Sequence, residues 1–180
     1  MSKLVYYVAA TMDGYIATEN HELGWLETFT LSEDATPYEK FYQSIGAAII
    51  GARTYEWIMK NISGHWPYQN IPSFILSSRN LSIPAEINAV VTHDSAHQIV
   101  TKAKAAAKGK DVWLIGGGKT AAFFADAGEL QQLFITTVPV FLGSGIRVLP
   151  VSRSIQAIPN QQRFLSSGAI ETIMDIKSTA

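Results

Sequence analysis

Three short segments place glycine, hydroxyl and basic residues directly behind apolar runs, a combination suited to holding a phosphate. The richest is Leu114-Ile115-Gly116-Gly117-Gly118-Lys119-Thr120. Glycines let backbone N–H groups close on an anion, and a helix that starts there turns its positive end toward it. The spacing matches neither the Gly-x-x-x-x-Gly-Lys-Thr/Ser phosphate loop nor the usual dinucleotide fingerprint. The second is Ile50-Gly51-Ala52-Arg53-Thr54. There Arg53 can grip a phosphate through two parallel N–H bonds, and Thr54 can cap the next helix while offering its hydroxyl. The third, Ser77-Ser78-Arg79, joins two hydroxyls to a guanidinium and suits a monophosphate such as the ribose 2′-phosphate of NADPH. Taken singly, each has a plainer reading: a tight strand-to-helix turn, a surface arginine beside an ordinary cap, and a polar turn. In a parallel sheet all three fall at the carboxyl edge, where open α/β folds bind ligands. Their convergence favours the phosphate reading.

Other chemistries find little support. There is no cysteine, which removes disulfides and thiol catalysis and fits a reducing compartment, so a cytoplasmic location is expected. His21, His65, His93 and His97 show no metal-ligand spacing, and no metal site is expected. No serine sits in a nucleophile-elbow motif. The net charge of -1 argues against non-specific nucleic-acid binding. Lys102, Lys104, Lys108 and Lys110 read as a solvated helix face. No apolar run approaches the ~20 residues of a membrane span, and Leu4 to Ala10 reads as a first strand rather than a signal peptide.

The elements that would position these turns follow from patterning. With 180 residues, 47% of them hydrophobic, the chain suits one domain spanning residues 1–180. Leu4 to Ala10 suits a central strand covered on both faces. Tyr15 to Ala17 is a short apolar return, and residues 18–35 form a long loop carrying Gly24-Trp25-Leu26. Thr36-Pro37-Tyr38-Glu39 predicts a helix start with a Thr36/Glu39 capping box; Tyr38, Phe41, Tyr42 and Ile45 keep its period and Gly46 ends it. Ala47 to Ile50 reads as a buried strand, Thr54 to Met59 as a short helix, and residues 60–71 as a loop with Gly64 and Pro67. Strands follow at Ser73 to Leu76 and Ala89 to Val91. A helix capped by Asp94 or Ser95 runs to Gly109. Asp111 to Ile115 is a strand, Thr120 to Ala127 a helix and Leu133 to Val138 a strand. Short strands are predicted at Ile155 to Ile158 and Arg163 to Leu165, then a last one at Ala169 to Ile176. The order predicts a three-layer α/β fold: a mostly parallel central sheet with antiparallel C-terminal strands. Val138, Val140, Phe141 and Leu142 around Pro139 predict an apolar patch and, through it, a homodimer.

Over essentially its whole length the chain resembles the dihydrofolate reductase superfamily, and within it the branch of the C-terminal reductase domain of bifunctional riboflavin-biosynthesis proteins. The marks are Ala9-Ala10 with Met12-Asp13-Gly14-Tyr15-Ile16-Ala17, Gly51-Ala52-Arg53-Thr54-Tyr55-Glu56, Leu76-Ser77-Ser78-Arg79 and Ile115-Gly116-Gly117-Gly118. The resemblance implies a dihydrofolate-reductase-like fold and NADPH as cofactor. It implies that the Gly51–Thr54 and Gly116–Gly118 turns hold the pyrophosphate, with Ile115, Lys119 and Thr120 alongside. Ser77, Ser78 and Arg79 would surround the 2′-phosphate, and Ala10 and Ile16 would flank the nicotinamide under the loop from Tyr15 to Leu26. Trp25 in that loop and Phe41 in the helix bordering the cleft become candidate pocket residues. The activity implied is hydride transfer from NADPH to a small heterocycle of the 5-amino-6-(5-phosphoribosylamino)uracil kind. The alternatives are dihydrofolate reduction and a nucleotide-binding sensor without turnover.

Two features depart from these patterns. The substrate carboxylate of dihydrofolate reductases falls near Ala35 to Pro37, where this chain has no acid, and no His/Cys/Cys set of a zinc deaminase is present. The carboxylates left near the cleft as proton donors are Asp13, Asp34 and Glu39. Asp13 leads because a turn at a strand end is held rigidly; its other reading is to cap or brace the turn at Gly14.

Overall fold

The computed structural model describes residues 1–62 and 65–177; Gly64 of the predicted loop lies outside them. The chain runs β1 (Leu4–Thr11), β2 (Tyr15–Ala17), α1 (Gly24–Glu27), α2 (Tyr38–Gln43), β3 (Ile45–Gly51), α3 (Ala52–Asn61), β4 (Ser73–Leu76) and β5 (Ala89–Thr92). It continues with α4 (Ala96–Ala106), β6 (Asp111–Ile115), α5 (Gly118–Asp126), β7 (Gln132–Val138), β8 (Ile146–Arg147), β9 (Ala157–Phe164) and β10 (Ile170–Ile176). Among the described residues, eight strands form one sheet in the order β5-β4-β3-β6-β1-β7-β10-β9, and β2 pairs with β8 in a separate ribbon. Strands β5 to β7 in that order are parallel, while β10 and β9 are antiparallel. This is the mixed α/β architecture read from the sequence.

Both faces of the sheet are covered because residues two apart on a strand point the same way. On β1, Leu4 and Tyr6 face a core built with Ile99 and Val100 of α4 and Phe124 of α5. Val5 and Tyr7 face the opposite core, which holds Phe41 of α2 and Ile58 of α3. The central strands are therefore apolar throughout, and burial of those runs from water is the main force assembling the three layers.

Local chemistry sets the helix boundaries, in places differently from the sequence reading. Ser95 caps α4 in a full capping box with Gln98; Asp94 instead accepts hydrogen bonds from Thr92 and Lys102. The Thr36/Glu39 box does not form. Pro37 holds the cap position of α2 with no side-chain cap bond, and Thr36 turns to Glu171. Nor does Gly46 end α2, which stops at Gln43. Gly46 lies within β3, where a Cβ would stand 2.2 Å from the carbonyl oxygen of Ala107. Glycine is required there because the strand passes against the end of α4.

The tail differs most. The two short strands expected at 155–158 and 163–165 are one continuous strand, β9, which pairs along β10 across an irregularity at Ile173/Met174. It is an edge strand with mostly exposed side chains, so no apolar alternation marks it in the sequence. Of the apolar patch around Pro139, Val138 is fully buried, Val140 and Leu142 are half-buried, and Phe141 is broadly exposed at 73%. No helix among the described residues is long and apolar enough to cross a membrane.

Gly46→Ala is expected to destabilise the fold by about 1–3 kcal/mol, since the backbone of Ala107 must give way. Gly24→Ala, with open space around the new methyl, should leave the urea midpoint nearly unchanged.

Candidate functional site at the carboxyl edge of the sheet

Strands β5, β4, β3 and β6 are neighbours and parallel, with Thr92 opposite Leu76, Leu76 opposite Gly51, and Ile50 opposite Ile115. The turns that follow them therefore share one edge, and the three glycine and serine turns predicted to converge are brought together. Gly51 and Gly116 meet across Thr120. A Cβ on Gly51 would lie 2.6 Å from the Thr120 hydroxyl oxygen, and one on Gly116 3.6 Å from the Gly51 nitrogen. Directly beyond them α3 and α5 begin at Ala52 and Gly118, and neither has a side-chain cap bond. The first amides of these two helices, which cover opposite faces of the sheet, are thus left without the internal acceptor that Ser95 gives α4, the condition under which a helix start receives an anion.

The glycine run divides its labour. Gly117 has open space around it, whereas a Cβ on Gly118 would strike the carbonyl oxygen of Arg147 at 1.9 Å and Pro150 at 2.9 Å. Gly118 is there so that the 147–150 segment can pack on α5, a role invisible in the sequence.

A cleft of about 1150 Å³ opens beside this edge, walled by Ala52, Arg53, Ser77, Ser78, Arg79 and His93, with Phe123 at its side. Within it the serines separate. The Ser77 hydroxyl is buried and closes its own turn, donating to the Arg79 carbonyl at 2.8 Å and accepting from the Arg79 N–H at 2.9 Å. Ser78 is exposed, as are Arg53 and Arg79. The Arg79 guanidinium donates to both oxygens of Glu56 at 2.9 and 3.0 Å. In the sequence His93 stands out only as a histidine without metal-ligand spacing. Its Nδ1 lies 2.5 Å from the Ser77 carbonyl oxygen, so Nδ1 carries the proton and donates. The signal was its position just after a strand parallel to β4.

Toward the other end, Ala10 is buried near the end of β1 and Ile16 is half-buried on β2. Trp25 is buried in α1 with its indole N–H unpartnered. Phe41 is a core residue: it stacks on Tyr7 at 4.1 Å and meets Trp113 edge-on at 5.2 Å. Tyr7 is the partly open member of that group.

The three carboxylates singled out as proton donors do not come together. Asp13 accepts from the Thr11 hydroxyl at 2.6 Å, from Gly143 N–H at 2.7 Å and from Leu142 N–H. The Thr11 hydroxyl foremost, then those amides, hold its carboxyl below the usual range. It braces the 142–143 backbone rather than only its own turn. Asp34 accepts from Ser32 and from the N–H and hydroxyl of Ser166, and its carboxyl is likewise held low. A general acid needs the opposite environment. Glu39 is exposed and forms no cap.

The carboxylate that the sequence reading missed is Glu171. Among the described residues it is the one charged side chain that is buried, at 6% exposure. Its two oxygens accept from the Thr36 N–H and the Thr36 hydroxyl, each at 2.7 Å, and the Arg163 guanidinium lies at 3.2 Å. Glu171 stands opposite Thr136, and Thr136 opposite Ala9. Paired residues share a face, so this carboxylate sits on the α2 side of the sheet, in the row of Ala9. The phenol of Tyr7 is pushed up, mainly by burial and then by the charge of Glu171. The stretch from Ala35 to Pro37 has no acid of its own, yet an acid reaches Thr36 from the last strand.

The sequence model of the RibD C-terminal domain matches residues 2–172. The chain belongs to that family. It is 31% identical over 144 residues to the uncharacterized protein YwjB of Bacillus subtilis, covering 80% of each chain. Its fold is shared with the "putative riboflavin biosynthesis protein" of Shewanella sp. PV-4, with a TM-score of 0.83 at 20% identity over 98% of this chain and 99% of that one. It is shared more distantly with the dihydrofolate reductase of Enterococcus faecalis, with a TM-score of 0.62 at 13% identity over 97% and 96% of the two chains.

Asp13→Asn removes a brace whose folded-state carboxyl is held low, so its stabilisation is present above the ordinary carboxylate range and is lost as pH falls from there through the lowered folded-state value. The variant should melt lower than the parent at neutral pH, and the difference should close below about pH 4. Thermal denaturation across that interval checks both.

Proposed function

We propose that the chain is an NADPH-dependent reductase acting on a small nitrogen heterocycle. The observation that supports it best is the paired approach of Gly51 and Gly116. The Thr120 side chain packs into the notch left at Gly51, and this brings two uncapped helix starts to one edge, where their free first amides suit a pyrophosphate. Bound there, NADPH would supply a hydride. In this reading Gly51, Ala52, Thr54, Gly116, Gly117, Lys119 and Thr120 hold the pyrophosphate. Arg53, Ser78 and Arg79 take the 2′-phosphate, while Ser77 shapes their turn from within. Ala10, Ile16 and Ile115 border the nicotinamide, and Trp25 in α1 shields it from water.

On the substrate side Glu171 stands where the Ala35–Pro37 stretch lacks an acid, and beyond its bonds to Thr36 and Arg163 its two oxygens keep lone-pair capacity for one more donor. A buried carboxylate favours a ligand bringing N–H donors, such as an amino-substituted pyrimidine or pterin. Asp13 and Asp34 act in this reading as anchors, and the proton reaches the product from cleft water or Glu39. A sensor without turnover is the competing reading, favoured by the engagement of both aspartates. Incubation of the protein and NADPH with pterins and aminopyrimidines decides between them, because consumption of NADPH with any of these excludes the sensor.

Calorimetric titration should give tighter binding of NADPH than of NADH. Arg79→Ala should narrow that gap by about tenfold, the loss of one charge-assisted contact to phosphate. Absence of binding by either nucleotide at millimolar concentration would refute the proposal.

A further inference from the structure

The guanidinium best placed for a 2′-phosphate already has an anion on it. Glu56 lies one turn after Arg53 on α3, and both line the cleft with Arg79. One nitrogen of Arg79 donates to both Glu56 oxygens, at 2.9 and 3.0 Å. The side chains remain 59% and 44% exposed, so water screens the pair and it contributes little to the fold. The pair is built to be exchanged rather than to hold structure. No second carboxylate competes for that guanidinium among the described residues, since Asp94, also in the cleft wall, is engaged by Lys102 and Thr92.

Resting on the NADPH reading of this cleft, we infer that Glu56 sets the discrimination between phosphorylated and unphosphorylated adenosine riboses. The carboxylate occupies Arg79 in the free protein and must be displaced by a 2′-phosphate. That phosphate carries nearly two negative charges and more acceptor oxygens than a carboxylate, so it wins the guanidinium. The displaced carboxylate stays nearby on α3 and repels the dianion. Glu56 therefore weakens NADPH binding relative to what Arg53 and Arg79 alone would give, and leaves NADH, which brings no phosphate to that spot, almost untouched. It keeps the guanidinium oriented toward the cleft while limiting how tightly the phosphorylated cofactor is held.

Titration of the wild-type protein, Glu56→Gln, Arg79→Ala and the double variant with NADPH and with NADH tests this, in low salt and in high salt. Thermal midpoints confirm that each variant is folded. Glu56→Gln should bind NADPH about three- to tenfold more tightly than wild type, with NADH within about twofold. The gain should shrink in high salt and vanish when Arg79 is also replaced. Two results overturn the inference while leaving the proposed function intact: NADPH affinity unchanged or weakened in Glu56→Gln, or a loss of NADH affinity showing that the carboxylate instead holds the ribose hydroxyls. A wild-type protein that binds neither nucleotide overturns both.

Discussion

Gly51 ends β3 and Gly116 follows the neighbouring parallel β6, and the Thr120 side chain fills the space that a side chain on Gly51 would take. That close approach places the starts of α3 and α5 side by side with their first amides on one edge. It is also where the rest of the fold is anchored. Gly118, two residues on, admits the 147–150 segment against α5. That segment follows β8, which pairs with β2, and Val148 donates to the Gly14 carbonyl at 2.9 Å. Asp13 ties the same region to Leu142 and Gly143. The glycine turns of the edge and the segment around Ile16 are thus one mechanically continuous unit, resting on glycines that cannot carry larger side chains.

A second fastening holds the opposite side. The loop before α2 is sewn to the β9–β10 hairpin: Asp34 accepts from Ser166, Ser32 accepts from the Ser167 N–H, and Thr36 donates twice to Glu171. Burial of the Glu171 charge is unfavourable unless donors surround it. Thr36 and Arg163 provide them, and in doing so fix where α2 starts over the sheet. Asp13 and Asp34 do parallel work at two separate places, each a carboxylate held low and pinning backbone across a long stretch of sequence.

Much of this was legible in the sequence where the signal is local. Apolar runs marked the central strands, and the residues behind them marked the three turns, because a strand covered on both faces needs continuous hydrophobicity and a turn needs glycine or hydroxyls. What stayed hidden depends on long-range contact. Gly46 looks like a helix stop until the carbonyl of Ala107 is seen beside it. Thr36 and Glu39 have the spacing of a capping box, but Glu171 offers Thr36 a stronger acceptor from 135 residues away. Phe41 has the same helical period whether it lines a pocket or stacks on Tyr7. Glu171 carries no local mark at all: its burial follows from the pairing of β10 with β7, and its neighbours come from β9 and from the loop before α2.

A dinucleotide seated on the carboxyl edge of β3, β4 and β6 would cover the backbone of all three turns. Amide hydrogen exchange, followed with and without saturating NADPH, tests it most directly. Exchange should slow in residues 51–54, 77–80 and 116–120 together, with β9 unaffected. Protection confined to other parts of the chain, or none at these three turns when NADPH is bound, would contradict it.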